Sequence, residues 1–246
     1  MRLFWTKLKQ ILLDILFPVA CLGCGAPDVW LCPACRRQLK LNSQDVCPVC
    51  KHLSVYGKTH AWCQRSFYLD GLIIAAQSSP LIDKLVHSFK YSLIQDLAPI
   101  LSQLMVEKII FNDQQNARPN WTRLLFSSSL IVVPVPLHAR RLRWRGFNQS
   151  YLLARAITDK FNLILRPYLL KRKKYTTPQA QLSRSQRIKN VQGIFRVNKD
   201  WQNSLANAKI LLVDDVATTV STLNECARAL KQSGALEVWA IVLTRG

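Results

Sequence analysis

The sequence predicts an α/β fold: a parallel sheet flanked by helices, with a small metal-binding module in front of it. Three observations lead there. Two apolar runs, Leu130–Pro136 and Ile210–Val213, are too short for helices, and each is followed by a polar turn and a helical pattern. Such runs suit strands buried on both faces of a parallel sheet. A third run, Val238–Leu243, follows the helical stretch Leu223–Ser233 after a short link carrying Gly234, which reads as a parallel strand–helix–strand unit. Seven of the eight cysteines lie between Cys21 and Cys63, a density that suits metal binding better than a disulfide framework.

Taken in order, Met1 to Phe17 has helical spacing of apolar residues (Phe4, Leu8, Ile11, Leu12, Ile15, Leu16), with Arg2, Lys7 and Lys9 among them, and Pro18 ends it. It is too short and too charged for a membrane span. It either docks on the body of the protein or lies as a basic amphipathic helix on the inner membrane surface. The pairs Cys21/Cys24, Cys32/Cys35 and Cys47/Cys50 are C-x-x-C knuckles, and His60-Ala-Trp-Cys63 reads as a fourth with histidine replacing one cysteine. Two knuckles close one tetrahedral Zn²⁺ site. The eight residues therefore hold one or two structural ions. Either the first two knuckles make one site and the last two the other, or the pairs interleave. The metal supplies folding energy to a segment with little core. The predicted division is a helix over 1–18, a zinc-binding module over 19–66 and a sheet domain over 67–246.

Leu72–Ala76 is a strand candidate, Pro80–Lys90 and Leu93–Phe111 are helical, and the polar stretch Asn112–Asn120 reads as a loop. After Pro136, His138, Arg140, Arg141, Arg143 and Arg145 form a basic turn that passes through Gly146-Phe-Asn-Gln149 into a helix over Ser150–Phe161. In a doubly wound sheet this basic turn and the loop after Val213 would both sit at the strands' carboxyl edge, where ligands bind. Arg166–Asn190 is basic and weakly periodic, with Lys171, Arg172, Lys173, Lys174 and Arg187 beside Tyr168 and Tyr175, and reads as a long loop or hairpin. Cations interleaved with aromatics suit single-stranded nucleic acid; the plain alternative is a solvated charge run. Cys226 falls in a helix, as a small buried apolar residue would.

The stretch with the most chemistry is Asp214-Asp-Val-Ala-Thr-Thr-Val-Ser-Thr222. Two carboxylates leave a buried strand and are followed by hydroxyl residues at a helix N-terminus. The N–H groups and hydroxyls suit a phosphate. The carboxylates suit ribose hydroxyls, or Mg²⁺ held partly through substrate oxygens. Adjacent acids after a strand also serve as a plain turn and N-cap.

With 34 Lys and Arg against 14 Asp and Glu, the net charge is +20 over 246 residues. That balance favours a polyanionic partner, nucleic acid first and an anionic membrane surface second. The start of the chain has no cleavage site of secretory type, so the thiols are expected to stay reduced in the cytoplasm.

These motifs resemble known ones. The Asp214–Thr222 stretch resembles the 5-phosphoribosyl-1-pyrophosphate (PRPP) loop of type I phosphoribosyltransferases. The whole chain resembles the ComF family of competence-associated proteins. That likeness rests on the N-terminal knuckles, Lys90-Tyr91, Val133-Pro-Val-Pro136, Arg145-Gly-Phe-Asn-Gln149, Gln179, Leu182-Ser183, Arg187, Asn190-Val191, Phe195 and Val213-Asp-Asp-Val216. It implies a zinc-ribbon module joined to a type I phosphoribosyltransferase-like domain, and a role in natural transformation beside the inner membrane. On the family pattern Asp214 and Asp215 face the ribose of PRPP. The loop Ala217, Thr218, Thr219, Val220, Ser221 and Thr222 takes its 5-phosphate, and Lys90 and Arg145 lie near the pyrophosphate or contact DNA. The DNA-contacting set is then Arg140, Arg141, Arg143, Arg145, Lys171, Arg172, Lys173, Lys174 and Arg187. One residue departs from the type I phosphoribosyltransferase loop: Val220 stands where those enzymes usually have glycine after the paired threonines, and a β-branched residue resists the φ > 0 that glycine allows there. Three functions follow as expectations. The first is a DNA-uptake factor that binds single-stranded DNA. The second is a Mg²⁺-dependent transferase acting on PRPP, left open by Val220. The third is an adaptor whose zinc module docks a DNA-uptake helicase or translocation protein.

Overall fold

The computed structural model describes residues 18–114, 129–173 and 192–246. The predicted helix over Met1–Phe17, most of the predicted loop up to Asn120, and the candidates Lys174 and Arg187 lie outside these residues.

Five parallel strands form the central sheet: β1 (Gly71–Ile74), β2 (Leu130–Pro134), β3 (Ile164–Leu165), β6 (Lys209–Ala217) and β7 (Glu237–Arg245), in the order β1-β7-β6-β2-β3. The register pairs Val133 with Leu212, Leu212 with Ala240, and Gly71 with Trp239. Side chains alternate along a strand, so β6 feeds two cores. Leu211 and Val213 pack on one face with α2 (Pro80–Tyr91), α3 (Leu97–Gln114) and α5 (Gln149–Phe161). Ile210 and Leu212 pack on the other with α6 (Ser221–Lys231) and the antiparallel hairpin of β4 (Leu170–Arg172) and β5 (Phe195–Val197). Both faces are covered, which explains why the strands read as unbroken apolar runs.

Three elements differ from the sequence reading. The basic turn after β2 is a helix, α4 (Ala139–Arg145), capped at its start by His138 and ended by Gly146 at φ 78°. The third helix runs on through Asn112 to Gln114 rather than stopping at Phe111. Its inner face carries the buried polar residues Lys108 and Asn112, which hide the periodicity. Finally, β6 does not end at Val213. Asp214 pairs in register with Val242 and Ala217 with Arg245, so both aspartates lie within the strand. The stretch Arg166–Asn190, expected as a loop or hairpin, includes the hairpin strand β4 among its described residues.

The cysteine-rich segment, with the short helix α1 (Pro33–Arg36), is seated on the sheet. Leu39 joins the core on the α2 face, and Trp30, Leu31, Leu41 and Tyr56 pack against it. Lys108, with its side chain fully buried, donates to Asn42 O at 2.6 Å and pairs with Asp45 at 3.1 Å. Arg36 pairs with Glu107 at 2.6 Å, and Arg245 donates to Pro48 O at 3.0 Å. Burial pushes the Asp45 carboxyl up, and the Lys108 charge opposes that shift.

Candidate ligand site and metal centres

The eight predicted ligands separate into Cys21, Cys24, Cys32, Cys35 and Cys47, Cys50, His60, Cys63, and within each set the ligand atoms lie within 4.8 Å of one another. Of the two sequence alternatives, the sequential pairing is the one built. Thiolates about 2.3 Å from a tetrahedral zinc ion sit about 3.8 Å apart, and the Sγ atoms of Cys24 and Cys32 are 3.6 Å apart. His60 Nδ1 lies 3.3 Å from Cys50 Sγ. Backbone N–H groups prepare the sulfurs for negative charge: Cys32 N donates to Cys21 Sγ at 3.3 Å and Cys35 N to Cys32 Sγ at 3.4 Å. The N–H from Cys32 is the largest influence holding the Cys21 thiol down at about 6. Both donor sets fit structural Zn²⁺, closed by four protein ligands, with no open position for chemistry.

The second site is built at the carboxyl edge of β2 and β6. Chain reversal at Gly146 in the left-handed region lets α5 begin within three residues of α4. Asn148 then caps α5, accepting from Ser150 N at 3.1 Å and donating to Val135 O at 3.1 Å. That cap aims Ser150 Oγ at Asp214 Oδ1, 2.8 Å away. From the end of α2, Lys90 Nζ reaches Asp215 Oδ1 at 2.9 Å. Asp215 is buried and Asp214 half-buried. Lost hydration first, and then the neighbouring Asp215 charge, push the Asp214 carboxyl up to about 7; Lys90 and the Ser150 hydrogen bond oppose this.

Arg145 does not lie on the surface with the other arginines of α4. It is only 7% exposed. Burial lowers its affinity for a proton, and the charges of Asp215 and Asp214 offset that in part. Its Nε and Nη1 have no hydrogen-bond partner among the described residues, and neither have Asp215 Oδ2 and Gln149 Oε1. Buried donors and acceptors left unmatched at one edge cost about 1–3 kcal/mol each, and the same atoms are free to meet a polar ligand. Lys90, Arg145, Asp214 and Asp215 are thus brought together from α2, α4 and β6.

The loop after β6 carries the main correction to the sequence reading. Val220 was expected to resist the left-handed conformation, yet it sits at φ 61°, ψ −3°, directly before α6. Its side chain is buried, 3% exposed, in the core beneath α6. Packing therefore holds a valine in the backbone shape that glycine takes without cost. Thr219 Oγ1 and Ser221 Oγ are 2.6 Å apart at the mouth of the loop.

The remaining nucleic-acid candidates divide. Arg140, Arg141 and Arg143 lie on α4 at the same sheet edge, with Arg140 and Arg143 exposed. Lys171, Arg172 and Lys173 lie on or beside β4 of the hairpin, over the α6 face; Lys171 and Lys173 are exposed, and the Arg172 guanidinium lies 5.6 Å from the Phe195 ring. Cys226 is fully buried, as read. Sequence reasoning gave no role to Ser150 or Gln149. Their signal was the Asn148 cap after a glycine, which fixes where α5 starts and which side chains its first turn offers.

Comparison with known proteins agrees with this geometry. Residues 12–65 match the double zinc ribbon domain family, and residues 148–246 match the phosphoribosyl transferase domain family. The architecture is therefore a type I phosphoribosyltransferase-like parallel sheet behind a zinc-ribbon module. Among curated proteins, the DNA utilization protein YhgH of Escherichia coli is 30% identical over 232 residues, covering 87% of this chain and 97% of the relative. Competence protein F of Haemophilus influenzae is 26% identical over 85% of this chain and 95% of its own. Competence protein ComFC of Bacillus subtilis is 26% identical over 85% and 80% respectively.

Proposed function

This chain belongs to the ComF family of competence-associated proteins, and from that membership we propose that it is a DNA-uptake factor for natural transformation that binds single-stranded DNA in the cytoplasm. The names of its relatives support the broad role. The observation that carries the finer reading is the placement at one sheet edge of exposed arginines on α4 and a buried, incompletely paired Asp214–Asp215–Arg145–Lys90 site. The arginines meet phosphates of the strand, and the buried site takes a phosphorylated ribose of PRPP type. Thr218 to Thr222 face its 5-phosphate and the aspartates its hydroxyls. Affinity for an oligonucleotide strand should fall steeply as salt rises, because each neutralised phosphate releases counterions. Binding that ignores salt, or no binding, would overturn this reading.

A second reading is a Mg²⁺-dependent phosphoribosyltransferase. It is favoured by Val220, whose glycine-like backbone keeps the loop in a phosphate-accepting shape. Here the preorganised loop orients PRPP, and Arg145 and Lys90 stabilise charge on the leaving pyrophosphate. Mg²⁺ would be held by Asp214, Asp215 and substrate oxygens. Calorimetric titration with PRPP and Mg²⁺ tests the ligand site. The unaltered protein should bind and Asp215→Ala should not; equal binding by both would place the ligand elsewhere.

Among the described residues no helix is long and apolar enough to cross a membrane. A peripheral position at the inner membrane is part of the proposal, as is docking of the zinc module on a DNA-uptake helicase or translocation protein. Cys→Ser changes in the knuckles would then lose that partner while sparing DNA binding.

A further inference from the structure

A row of rings stands outside both cores, beside the buried site. His87 and Tyr91 on α2 have ring centroids 4.8 Å apart, and Tyr91 and Trp144 on α4 are 6.3 Å apart. Tyr91 is 53% exposed and Trp144 58%, and neither belongs to the buried residues of the two hydrophobic clusters. The Arg145 guanidinium lies 5.7 Å from the Tyr91 ring and 6.0 Å from that of Trp144. The two elements are arranged alike. Lys90 and Arg145 turn inward to the aspartates, while their chain neighbours Tyr91 and Trp144 turn outward.

We propose that His87, Tyr91 and Trp144 form a stacking platform for unpaired bases of single-stranded DNA, which brings the strand past the mouth of the Asp214–Asp215 site. The inference rests on the single-strand reading above and names the surface that receives the bases. Three features select this occupant. The rings are open to solvent rather than enclosed, which suits bases in a passing strand and not a free base held in a pocket. Cations flank the row at both ends. Lys84 shares the exposed helix face of His87 and Tyr91, and Arg140 and Arg141 lie one turn from Trp144, so phosphates on either side of a stacked base meet positive charge. Only an unpaired strand offers base faces to aromatic side chains.

The test uses the full-length, zinc-loaded protein and fluorescence anisotropy. The probes are a twenty-nucleotide oligothymidylate and an abasic strand of equal length and charge. The unaltered protein should bind the abasic strand more weakly. Trp144→Ala and Tyr91→Ala should each weaken oligothymidylate binding by about 5- to 150-fold, the range for one lost base–aromatic stack. The salt slope should stay unchanged because the phosphate contacts remain. Trp144→Phe should restore most of the affinity, which a merely misfolded variant would not do. Tight binding of both strands by the unaltered protein, or full affinity in Trp144→Ala, would overturn the platform and leave the single-strand reading standing. Absence of any strand binding by the unaltered protein would overturn both. The abasic comparison needs no variant, so it holds even where a substitution harms folding.

Discussion

Replacing Val220 by alanine and by glycine separates two forces that meet at one residue. Val220 sits at φ 61°, with its side chain 3% exposed beneath α6. Alanine keeps the left-handed strain but removes two methyl groups from a packed site, at about 0.8 kcal/mol per buried carbon and a further cost for the cavity. Val220→Ala should therefore lose about 1.5–2.5 kcal/mol. Glycine loses the same atoms and the last carbon, and it frees the unfolded backbone at about 0.5–1 kcal/mol. It also removes a left-handed strain of about 1–2 kcal/mol. The balance puts Val220→Gly within about 0.8 kcal/mol of Val220→Ala, whereas at an ordinary helical or extended position glycine would lie about 1.3–1.8 kcal/mol below alanine. Urea unfolding of the zinc-loaded protein, followed by circular dichroism, measures both. If glycine proves less stable than alanine by about 1.3 kcal/mol or more, residue 220 is not held at positive φ in solution, and the loop does not keep the proposed phosphate-accepting shape.

Three further outcomes are expected. Asp214 titrates near 7 when folded and near 3.9 when unfolded. The folded state then holds the extra proton, and stability falls as pH rises from about 4 to 7. Asp214→Asn should therefore gain about 1–3 kcal/mol at pH 8 and little at pH 4; an equal change at both would show that the carboxyl is ordinary. Cys47→Ser should lower bound zinc from two equivalents to one, because Cys21–Cys35 and Cys47–Cys63 form separate sets; loss or retention of both ions, read by a colorimetric chelator, would contradict that division. Lys108→Met should cost about 2–4 kcal/mol at neutral pH by leaving Asp45 charged and unpaired. That cost should shrink in acid, where a neutral carboxyl needs no cation; a pH-independent loss would point to packing alone.

The sheet was legible because burial on both faces writes itself as apolar runs. Ile210–Val213 could hardly be anything else. The zinc ligands were legible because tetrahedral geometry fixes their spacing. Helix α4 was not, since its larger apolar residues Leu142 and Trp144 are both exposed and no buried stripe marks it among the arginines. The left-handed backbone at Val220 was illegible for a different reason. Backbone preference is local and was read correctly, but the packing of one side chain into the core under α6 outweighs it, and no neighbour in sequence reports that. The ring row and the Lys108–Asp45 pair join elements far apart in the chain, so no periodicity could announce them. At the ligand site, the Asp214–Asp215 pair, Lys90 and Arg145 were picked out by sequence. Ser150 and Gln149 came to light only when the Asn148 cap fixed the first turn of α5.

The order of strands bears on how the molecule comes into being. Among the described residues β1 finds its ladder partner only in β7, with Gly71 beside Trp239. Emerging from the ribosome, the chain makes the zinc knuckles early from local contacts and can seat them on β1 and α3, but the pairing of β1 into the sheet waits for β7, far along the chain. Non-local closure of this kind is slow. Until β7 arrives, β1 and β6 both present unpaired edges, and unpaired edges invite association with other chains. Metal capture thus precedes sheet closure, and the interval between the two is when a nascent molecule is most exposed to aggregation.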